Sequence, residues 1–346
     1  MSSLEEVAKL ALVSPATVSR ALSRPEMVAR TTRERVVEAA RALGYQPNQL
    51  ARSLRQGGSR SLGLIVTDIL NPFHATLAKG VQDAAGEHGY TVFLFNTDEE
   101  PDKERRALDT LRGHLPRGLI VVPTPRTREN LKLVAHLPVI ELDRASGKKG
   151  AHTVMVDNVG GARAATAHLA ALGHTRVGMI VGRLDISTAV ERLQGYKEAL
   201  SEAGLEYREE LVLPGDHREA GGRTSAFELL SLPEAQRPSA LFVGNNEMTV
   251  GAVLAARALG LSIPRDLSVV GFDDSRWAQT LMPPLTVVAQ PAYDLGFLAC
   301  ETLLSLLRRE GSGTPRPTSV RLATELIVRG STAPPKTGPP KVVVAV

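Results

Sequence analysis

The stretch LVSPATVSRALS, residues 12–23, places a polar break in front of a short helix that has two different faces. Ser14 and Pro15 form the pattern of an N-cap and a first helical residue, because Ser accepts from otherwise unbonded amides and Pro has no amide there to leave unbonded. One face of the predicted helix is apolar and consists of Val18, Ala21 and Leu22. The opposite face carries small and polar side chains, namely Ala16, Ser19, Arg20 and Ser23.

Two more helical runs flank this one. Apolar residues recur with the spacing of one helical face at Leu4, Val7, Ala8 and Ala11. A third amphipathic run covers residues 32–43 and ends before Gly44, a residue suited to a C-cap. Three short helices with a tight turn between the first two are typical of a helix-turn-helix unit, whose second helix enters the major groove of DNA. The pattern also allows a small helical bundle with an exposed polar face.

Charge separates this head from the rest of the chain. Residues 1–60 contain ten Lys and Arg against five Glu, a net charge of +5, whereas the whole chain carries +4 and the remainder therefore −1. A basic segment on a near-neutral body indicates a polyanionic partner for that segment. Arg20 can reach guanine O6 and N7, and Pro15 and Ala16 are small enough to approach a thymine methyl. The DNA-binding residues predicted for the head are Ser14, Pro15, Ala16, Thr17, Ser19, Arg20 and Thr32.

The stretch QPNQLARSLRQGGSRS, residues 46–61, predicts a short basic helix that Asn48 caps and a Gly-Gly pair ends. A helix of about nine residues is marginal alone in water, so we expect it to become ordered only against a partner. Leu54 has no local core to enter and suits a wedge between base steps of the minor groove. An ordinary linker is the alternative, which accounts for the glycines but not for Leu54. The predicted DNA contacts of this segment are Asn48, Ala51, Arg52 and Leu54.

The segments EVAKLALVSPATVSRALS, TRERVVEAARALGYQPNQLARSLR and LGLIVTDILNPF together resemble the lactose/galactose-repressor (LacI/GalR) family of bacterial transcription regulators. The resemblance extends from about Leu4 to Gly330, and the combination of VSxxTVSR with GYxPNxLARSL is highly specific. It implies a helix-turn-helix head, a hinge helix and a two-lobed, periplasmic-binding-protein-like body. Leu12 departs from the family, whose turn usually carries Gly. If this position needs a positive φ, Leu adds roughly 1 kcal/mol of strain.

Beyond residue 60, short apolar runs alternate with helical patterns. The predicted strands are SLGLIV, YTVFLF, GLIVVP, LPVIEL, HTVMVD, RVGMIV, ELVLPG, SALFVG and LSVVGF. Strands that alternate with helices indicate parallel sheets covered on both faces. Because the region is longer than one ordinary doubly wound unit, we expect two lobes with a cleft between them. The predicted fold is therefore an all-α head followed by an α/β body of two doubly wound parallel-sheet lobes.

Polar residues follow several of these strands, at the edge where ligands of open α/β sheets gather. Together they suit a neutral polyhydroxylated or heterocyclic ligand, although each alone could be a helix cap or a surface polar group. We expect Arg192 to open the helix that follows RVGMIVG. The resemblance places the effector contacts at Asn71, Phe73, Asp143, Arg192, His217, Asn245 and Asp273.

Three positions bear on the identity of the effector. The family's usual Asn-Asp pair is Asn245-Asn246 here, and its NPFF or NPFY is NPFH with His74. Ile186 stands near the position where purine-binding members of the family have Arg. The first two departures leave the identity of the effector open, whereas Ile186 favours a sugar or a sugar derivative over a nucleobase.

This chain lacks the sequence motifs that are typical of several classes of enzyme. There is no Walker loop, no GxGxxG after a strand, no HExxH, no GxSxG and no CxxC, so we expect no catalytic residue, no metal and no cofactor. Asp273 and Asp274 are an adjacent carboxylate pair, which rarely faces one site. His174 is predicted to be structural, and Cys300, in an apolar helical run, to be a buried thiol.

A solute-binding protein of a transporter would share the two-lobed body. The sequence has neither an export signal at its start nor a long apolar segment, so we expect a cytoplasmic protein with no membrane partner. The sequence predicts instead a ligand-responsive DNA-binding regulator of the repressor type. Its predicted partners are double-stranded operator DNA, a small-molecule effector and further copies of the chain, in a homodimer or a tetramer.

The predicted domains follow from these segments. They are a helix-turn-helix domain at 1–46, a hinge helix and linker at 47–60, a two-lobed effector-binding and dimerisation domain at 61–331, and a flexible Pro-rich tail at 332–346.

Overall fold

A computed structural model describes residues 3–45, 60–308 and 316–336. The chain divides into two compact units, Met1–Arg60 and Ser61–Val346. The contacts predicted for the hinge lie outside the described residues and are Asn48, Ala51, Arg52 and Leu54.

The first unit is helical. Its helices are α1 (Leu4–Leu10), α2 (Pro15–Ser23) and α3 (Arg30–Ala42), with a 3-10 helix at Pro25–Met27. Ser14 caps α2 as predicted, because its Oγ accepts from the amide of Thr17 at 3.2 Å. A small core joins the three helices and consists of Val7, Ala8, Ala11, Val18, Ala21, Val36, Ala39 and Ala40.

The turn between α1 and α2 holds Leu12 in the left-handed region, at φ +53°. A residue with a Cβ is disfavoured there by roughly 1 kcal/mol relative to Gly. The side chain of Leu12 is 82% exposed, so burial does not offset this strain within the unit. Leu12 therefore adopts the positive φ that is expected at a position where the family usually carries Gly.

The described part of the second unit contains twelve strands. They are β1 (Ser61–Val66), β2 (Thr91–Asn96), β3 (Gly118–Val121), β4 (Val139–Leu142), β5 (His152–Val156), β6 (Val177–Val181), β7 (Val212–Pro214), β8 (Ala240–Val243), β9 (Ser268–Phe272), β10 (Thr286–Ala289), β11 (Ser319–Leu322) and β12 (Glu325–Ile327). The nine predicted strands correspond to β1–β9. The last three strands are additional to the prediction.

Helices cover both sheets. They are α4 (Pro72–Glu87), α5 (Pro101–Gly113), α6 (Thr127–Asn130), α7 (Asn158–Ala171), α8 (Ser187–Glu202), α9 (Glu219–Leu230), α10 (Asn246–Ala258), α11 (Arg276–Thr280) and α12 (Ala292–Arg308). Short 3-10 helices lie at Leu131–Val134 and Glu209–Leu211.

Each lobe of the second unit is built on one six-stranded sheet. Lobe 1 has the strand order β11-β5-β4-β3-β1-β2, and lobe 2 has the order β12-β10-β9-β8-β6-β7. Neighbouring strands are parallel except β10 and β12. The helices α4, α5, α6 and α12 pack on lobe 1, and α7–α11 pack on lobe 2. The predicted pair of doubly wound lobes is confirmed.

The chain passes between the lobes three times. It leaves lobe 1 between β5 and α7, returns between β10 and α12, and crosses again between β11 and β12. Each lobe therefore contains segments that are distant in the sequence. We refer to these three places as the crossings.

Glycine lets the covering helices approach closely. A Cβ on Gly80 of α4 would lie 2.1 Å from the carbonyl oxygen of Tyr293 in α12, and one on Gly296 of α12 would lie 2.0 Å from that of Leu77 in α4. A Cβ on Gly195 of α8 would lie 2.1 Å from the carbonyl oxygen of Val159 in α7. Because these neighbours are backbone atoms, a larger residue would have to push the helices apart.

Residues 332–336, the beginning of the predicted flexible tail, bond to lobe 2. The buried imidazole of His174 lies 2.9 Å from the carbonyl oxygen of Ala333, and Ser268 Oγ accepts from the amide of Ala333 at 3.0 Å. Lys336 forms an ion pair with Asp266. Proline prevents a helix here but not these tertiary hydrogen bonds.

Replacing Leu12 by Gly should stabilise the first unit by about 1 kcal/mol, because it removes the left-handed strain without removing a buried contact. Hydrogen exchange of the α1 and α2 amides, followed by mass spectrometry of the full chain, should slow about fivefold. Lys9→Gly is the control, since it places Gly inside α1 and should destabilise by about the same amount. Faster exchange in Leu12→Gly than in the wild type would contradict the assignment of strain.

Candidate functional site

The polar face of α2 is open to solvent in the first unit. Pro15, Ala16 and Arg20 are exposed, while Thr17, Ser19 and Thr32 are half-buried. The apolar face of the same helix, through Val18 and Ala21, is buried in the core. The helix thus separates a packing face from a face that carries the predicted DNA contacts.

Two of the predicted DNA contacts also serve the helix itself. Ser14 Oγ lies 2.9 Å from Thr17 Oγ1 and accepts from its amide, so both side chains take part in the cap. Ser14 is nevertheless exposed, and a hydroxyl has further hydrogen-bonding capacity. Arg20 is the long cationic side chain on this face that can reach beyond the cap.

In the second unit, the predicted effector residues converge between the lobes. Asn71 and Phe73 follow β1, Asp143 follows β4, Asn245 follows β8 and Asp273 follows β9. The carboxyl ends of parallel strands meet at one edge of each sheet, and these two edges face the same cleft. Of the seven predicted residues, those that are buried are Asn71, Asp143, Arg192, Asn245 and Asp273. Phe73 and His217 are half-buried.

Arg192 is the buried cation of lobe 2. It lies inside α8 rather than at its first residue, which corrects the predicted position. Its Nε donates to Asn158 Oδ1 at 2.9 Å, and Nη1 donates to the carbonyl oxygen of Gly244. Its guanidinium carbon lies 3.6 Å from the ring centroid of Phe272, the geometry of a cation–π contact. Burial lowers the pKa of Arg192, and the nearby carboxylates of Asp273 and Asp143 oppose that shift.

The two lobes bond directly across the cleft. Asn71 Nδ2 donates to Asn246 Oδ1 at 3.0 Å, and Asn246 Nδ2 donates back to Asn71 Oδ1 at 2.9 Å. Arg218 donates to the carbonyl oxygen of Asp98 at 3.0 Å. The residue that departs from the family's Asn-Asp pair, Asn246, therefore forms a reciprocal amide pair between the lobes.

The sequence reasoning missed a buried ion pair at the lobe 1 side of the cleft. The guanidinium of Arg144 donates to both carboxylate oxygens of Glu99, at 2.7 and 2.8 Å. Although burial opposes it, Arg144 lowers the pKa of Glu99 to about 2. Glu99 and the neighbouring Asp98 both have positive φ, +62° and +51°, so the loop is strained and this geometry is maintained by its contacts. The position of Glu99 shortly after β2 was the available signal.

Several buried polar atoms of the cleft form no hydrogen bond with the described residues. They are Asp143 Oδ1, Arg144 Nε, His217 Nδ1 and Gln290 Oε1. Both acceptors and a donor are present, so the cleft suits a ligand that can donate and accept hydrogen bonds.

Burial shifts the acid–base equilibria of the cleft. It raises the pKa of Asp143 to about 6, against the opposing charges of Arg144 and Arg192. It also raises the pKa of Asp273. Burial, aided by Arg144, lowers the pKa of His217 to about 3, so this imidazole is neutral at pH 7. Arg144 and Arg192 therefore provide positive charge beside the carboxylates of the cleft, whereas His217 provides none at pH 7.

A cavity of about 620 Å³ adjoins this network. Phe73 contributes to its lobe 1 side, Asp273 and Trp277 to its lobe 2 side, and Gln290 lies at the crossing between β10 and α12. Its volume is in the range of small-molecule sites, about 300–1,000 Å³. The cavity therefore connects two of the predicted effector residues with open space.

Neither a metal cluster nor a membrane span is found within residues 3–45, 60–308 and 316–336. No group of three or more His, Cys, Asp or Glu in these ranges could hold a metal ion. None of the helices there is both long enough and apolar enough to cross a bilayer.

Two family descriptions match the chain. "Bacterial regulatory proteins, lacI family" matches residues 3–48, and "Periplasmic binding protein-like domain" matches residues 166–332. The first contains the helix-turn-helix unit and the second covers most of lobe 2. These matches confirm the predicted combination of head and body.

Named proteins match over nearly the whole chain. The HTH-type transcriptional repressor PurR of Aliivibrio fischeri (strain MJ11) is 34% identical over 311 residues, which cover 89% of this chain and 92% of that protein. The ribose operon repressor of Escherichia coli (strain K12) is 33% identical over 334 residues, which cover 96% and 100%.

Solved structures agree with these relatives. The transcriptional regulator CelR in complex with cellobiose is 34% identical, with a TM-score of 0.72 over 96% of this chain and 100% of that one. The lac repressor dimer bound to operator and the anti-inducer ONPF is 26% identical, with a TM-score of 0.83 over 96% and 99%. The head, the two lobes and these matches together lead to one conclusion: the chain belongs to the LacI family of bacterial transcriptional regulators.

Proposed function

We propose that this LacI-family regulator is a ligand-responsive repressor that binds a near-palindromic operator as a dimer. The α2 face, with Arg20 at its centre, enters the major groove, and residues 47–60 act as the hinge between a head at 1–46 and the body at 61–331. A small effector binds between the lobes. The observation that carries the proposal is the convergence of buried, hydrogen-bonding side chains on the cleft of a chain whose head has an exposed cationic recognition face.

The hydrogen-bonding groups of the cleft suit a neutral, hydroxyl-rich effector. The ring of Phe272 is already covered by Arg192, so its face is not open for stacking on a planar base. The unpartnered acceptors of Asp143 and Gln290 and the donor of Arg144 suit the mixed donor and acceptor pattern of hydroxyl groups. We therefore propose a sugar or a sugar derivative as effector. The cellobiose complex of CelR supports a sugar in a protein of this family.

The effector controls DNA binding through the angle between the lobes. An effector that bonds both sides of the cleft replaces direct contacts such as the Asn71–Asn246 pair. It favours whichever lobe arrangement it binds more tightly, typically by 1–3 kcal/mol. The changed angle alters the spacing of the two hinge segments in the dimer and thus the affinity for the operator.

A gel shift separates this proposal from a solute-binding protein and from an enzyme. Only the regulator should select a preferred sequence from random duplexes. Its affinity for that sequence should fall by about a thousandfold or more between 50 and 200 mM salt, since phosphate contacts release counterions. We propose accordingly a cytoplasmic protein without catalytic function.

Arg20→Ala should relax base preference at one operator position, because a bidentate contact to guanine is worth about 1–3 kcal/mol. Selection from random duplexes followed by sequencing would measure the loss. Arg35→Ala is the matched control, since Arg35 is an exposed arginine of α3. It should weaken binding to all sequences alike. An unchanged preference profile in Arg20→Ala would remove Arg20 from base readout.

Arg192→Met should abolish the effector response, because it removes the guanidinium while largely retaining the volume of the side chain. Thermal-shift measurements on the wild type with D-ribose, cellobiose and hypoxanthine identify the compound that raises its Tm. A compound that binds the folded chain stabilises it by mass action. Lys197→Met, an exposed substitution one turn further along α8, should keep the full shift. A retained shift in Arg192→Met would exclude Arg192 from the site.

Effector affinity should fall as pH decreases through about 6, the raised pKa of Asp143. Above that pH the carboxylate accepts a charge-assisted hydrogen bond from the effector, whereas the protonated carboxyl is a neutral and weaker acceptor. Titration calorimetry with the stabilising compound should give about tenfold weaker binding at pH 5 than at pH 7.5. Asp143→Asn should bind weakly at both pH values. A wild-type affinity that is the same at both pH values would contradict this role for Asp143.

A further inference from the structure

Arg192 stands at one end of a hydrogen-bonded series that leads out of the cleft. Asn158 accepts from Arg192 Nε through Oδ1 and donates through Nδ2 to Glu191 Oε2, each at 2.9 Å. Glu191 accepts two further bonds from the guanidinium of Arg321, at 2.6 and 3.1 Å. We refer to Arg192, Asn158, Glu191 and Arg321 as the relay.

The relay joins two of the three crossings. Asn158 is the first residue of α7, directly after the chain has left lobe 1, and Arg321 lies on β11, just before the last crossing. Arg321 Nη1 also donates to the carbonyl oxygen of Val156 at 3.2 Å, at the end of β5. Next to it, the amide of Asp157 donates to the carbonyl oxygen of Leu322 at 2.9 Å. The relay therefore bonds a side chain of lobe 2 to the backbone of both crossings.

Burial decreases along the relay from its inner to its outer end. Arg192 and Asn158 are buried, whereas the side chain of Glu191 is 20% exposed and that of Arg321 is 43% exposed. The inner bonds are shielded from water, so a change at Arg192 cannot be compensated by solvent. The outer bonds are charge-assisted and two-pronged, which fixes orientation as well as distance.

We infer that Asn158, Glu191 and Arg321 are positioning residues for Arg192 and that the relay couples its position in the cleft to the angle between the lobes. The inference rests on the proposed function in treating Arg192 as an effector contact. An effector that attracts the guanidinium releases Asn158 Oδ1. Asn158 then changes its bond to Glu191, Glu191 changes its bonds to Arg321, and the two crossings lose a common anchor.

The test measures the lobe-to-lobe distance in the full chain without effector. Spin labels on Thr110→Cys in lobe 1 and Glu228→Cys in lobe 2 occupy exposed positions, while Cys300 is buried and its thiol pKa is raised to about 12, so it remains unlabelled. Dilution with unlabelled protein suppresses distances between copies. Arg321→Met and Glu191→Gln should each broaden the distance distribution, and the double variant should broaden it no further, because both remove the same link.

A second measurement observes Arg192 itself. In protein labelled with ¹⁵N-arginine, the Nε–H resonance of Arg192, assigned by its loss in Arg192→Met, should shift in Arg321→Met. Arg321 does not contact Arg192 directly, so a merely structural ion pair would not move this signal. The inference would be overturned if Arg321→Met had the same distance distribution as the wild type. It would also be overturned if the Arg192 resonance stayed at its wild-type position in that variant.

Arg163→Met is the matched control. Arg163 on α7 pairs with Glu202 on α8 at 3.3 Å, but both side chains are more than half exposed and the pair lies away from the crossings. This variant should leave both measurements unchanged, and equal effects from Arg163→Met and Arg321→Met would also overturn the inference. All these measurements are made without effector and without DNA. Their outcome therefore stays readable even if the Arg192→Met prediction of the proposed function fails.

Discussion

The body depends on one constraint: the charged and amide groups that are buried between its two lobes need hydrogen-bond partners. A buried polar group needs a partner, because an unmet donor or acceptor costs about 1–3 kcal/mol and an unpaired charge costs more. Parallel strands deliver such groups to one edge of each sheet, where each finds a partner in its own lobe or in the facing one. Arg144 is matched by Glu99, Asn71 by Asn246, and Arg192 by Asn158 and a backbone carbonyl. The residues that stabilise the cleft are thus also the residues whose hydrogen-bonding groups suit a ligand.

The sequence predicted most of the fold because its signals are local. Strand and helix periodicity located nine strands, and Ser14 followed by Pro15 located the start of α2. The convergence of the predicted effector residues followed from topology alone, since residues after parallel strands must meet. Which of them bind an effector depends on contacts that no spacing encodes, because a residue at such a position can also cap a helix, as Asn71 and Asn245 do.

The features that escaped prediction depend on tertiary contacts. The pairing of Arg144 with Glu99 joins loops that lie 45 residues apart, and it needs the left-handed backbone of Glu99, for which the sequence gives no glycine signal. The strands β10–β12 were also missed, although they are as long as the predicted strands β3, β4, β7 and β8. The anchored start of the tail depends on His174, a residue whose partner Ala333 lies 159 residues away.

The interleaved course of the chain also sets the order in which its parts can mature on the ribosome. Lobe 1 takes α12 and β11 from the last quarter of the sequence, and lobe 2 takes β12 from the same region. The sheet of lobe 1 is complete only when residue 322 has emerged from the exit tunnel, and that of lobe 2 only when residue 327 has emerged. The head, whose core uses only residues within the first forty-five, can fold as soon as it is translated. Synthesis therefore presents a finished DNA-reading unit while its regulatory body is still incomplete.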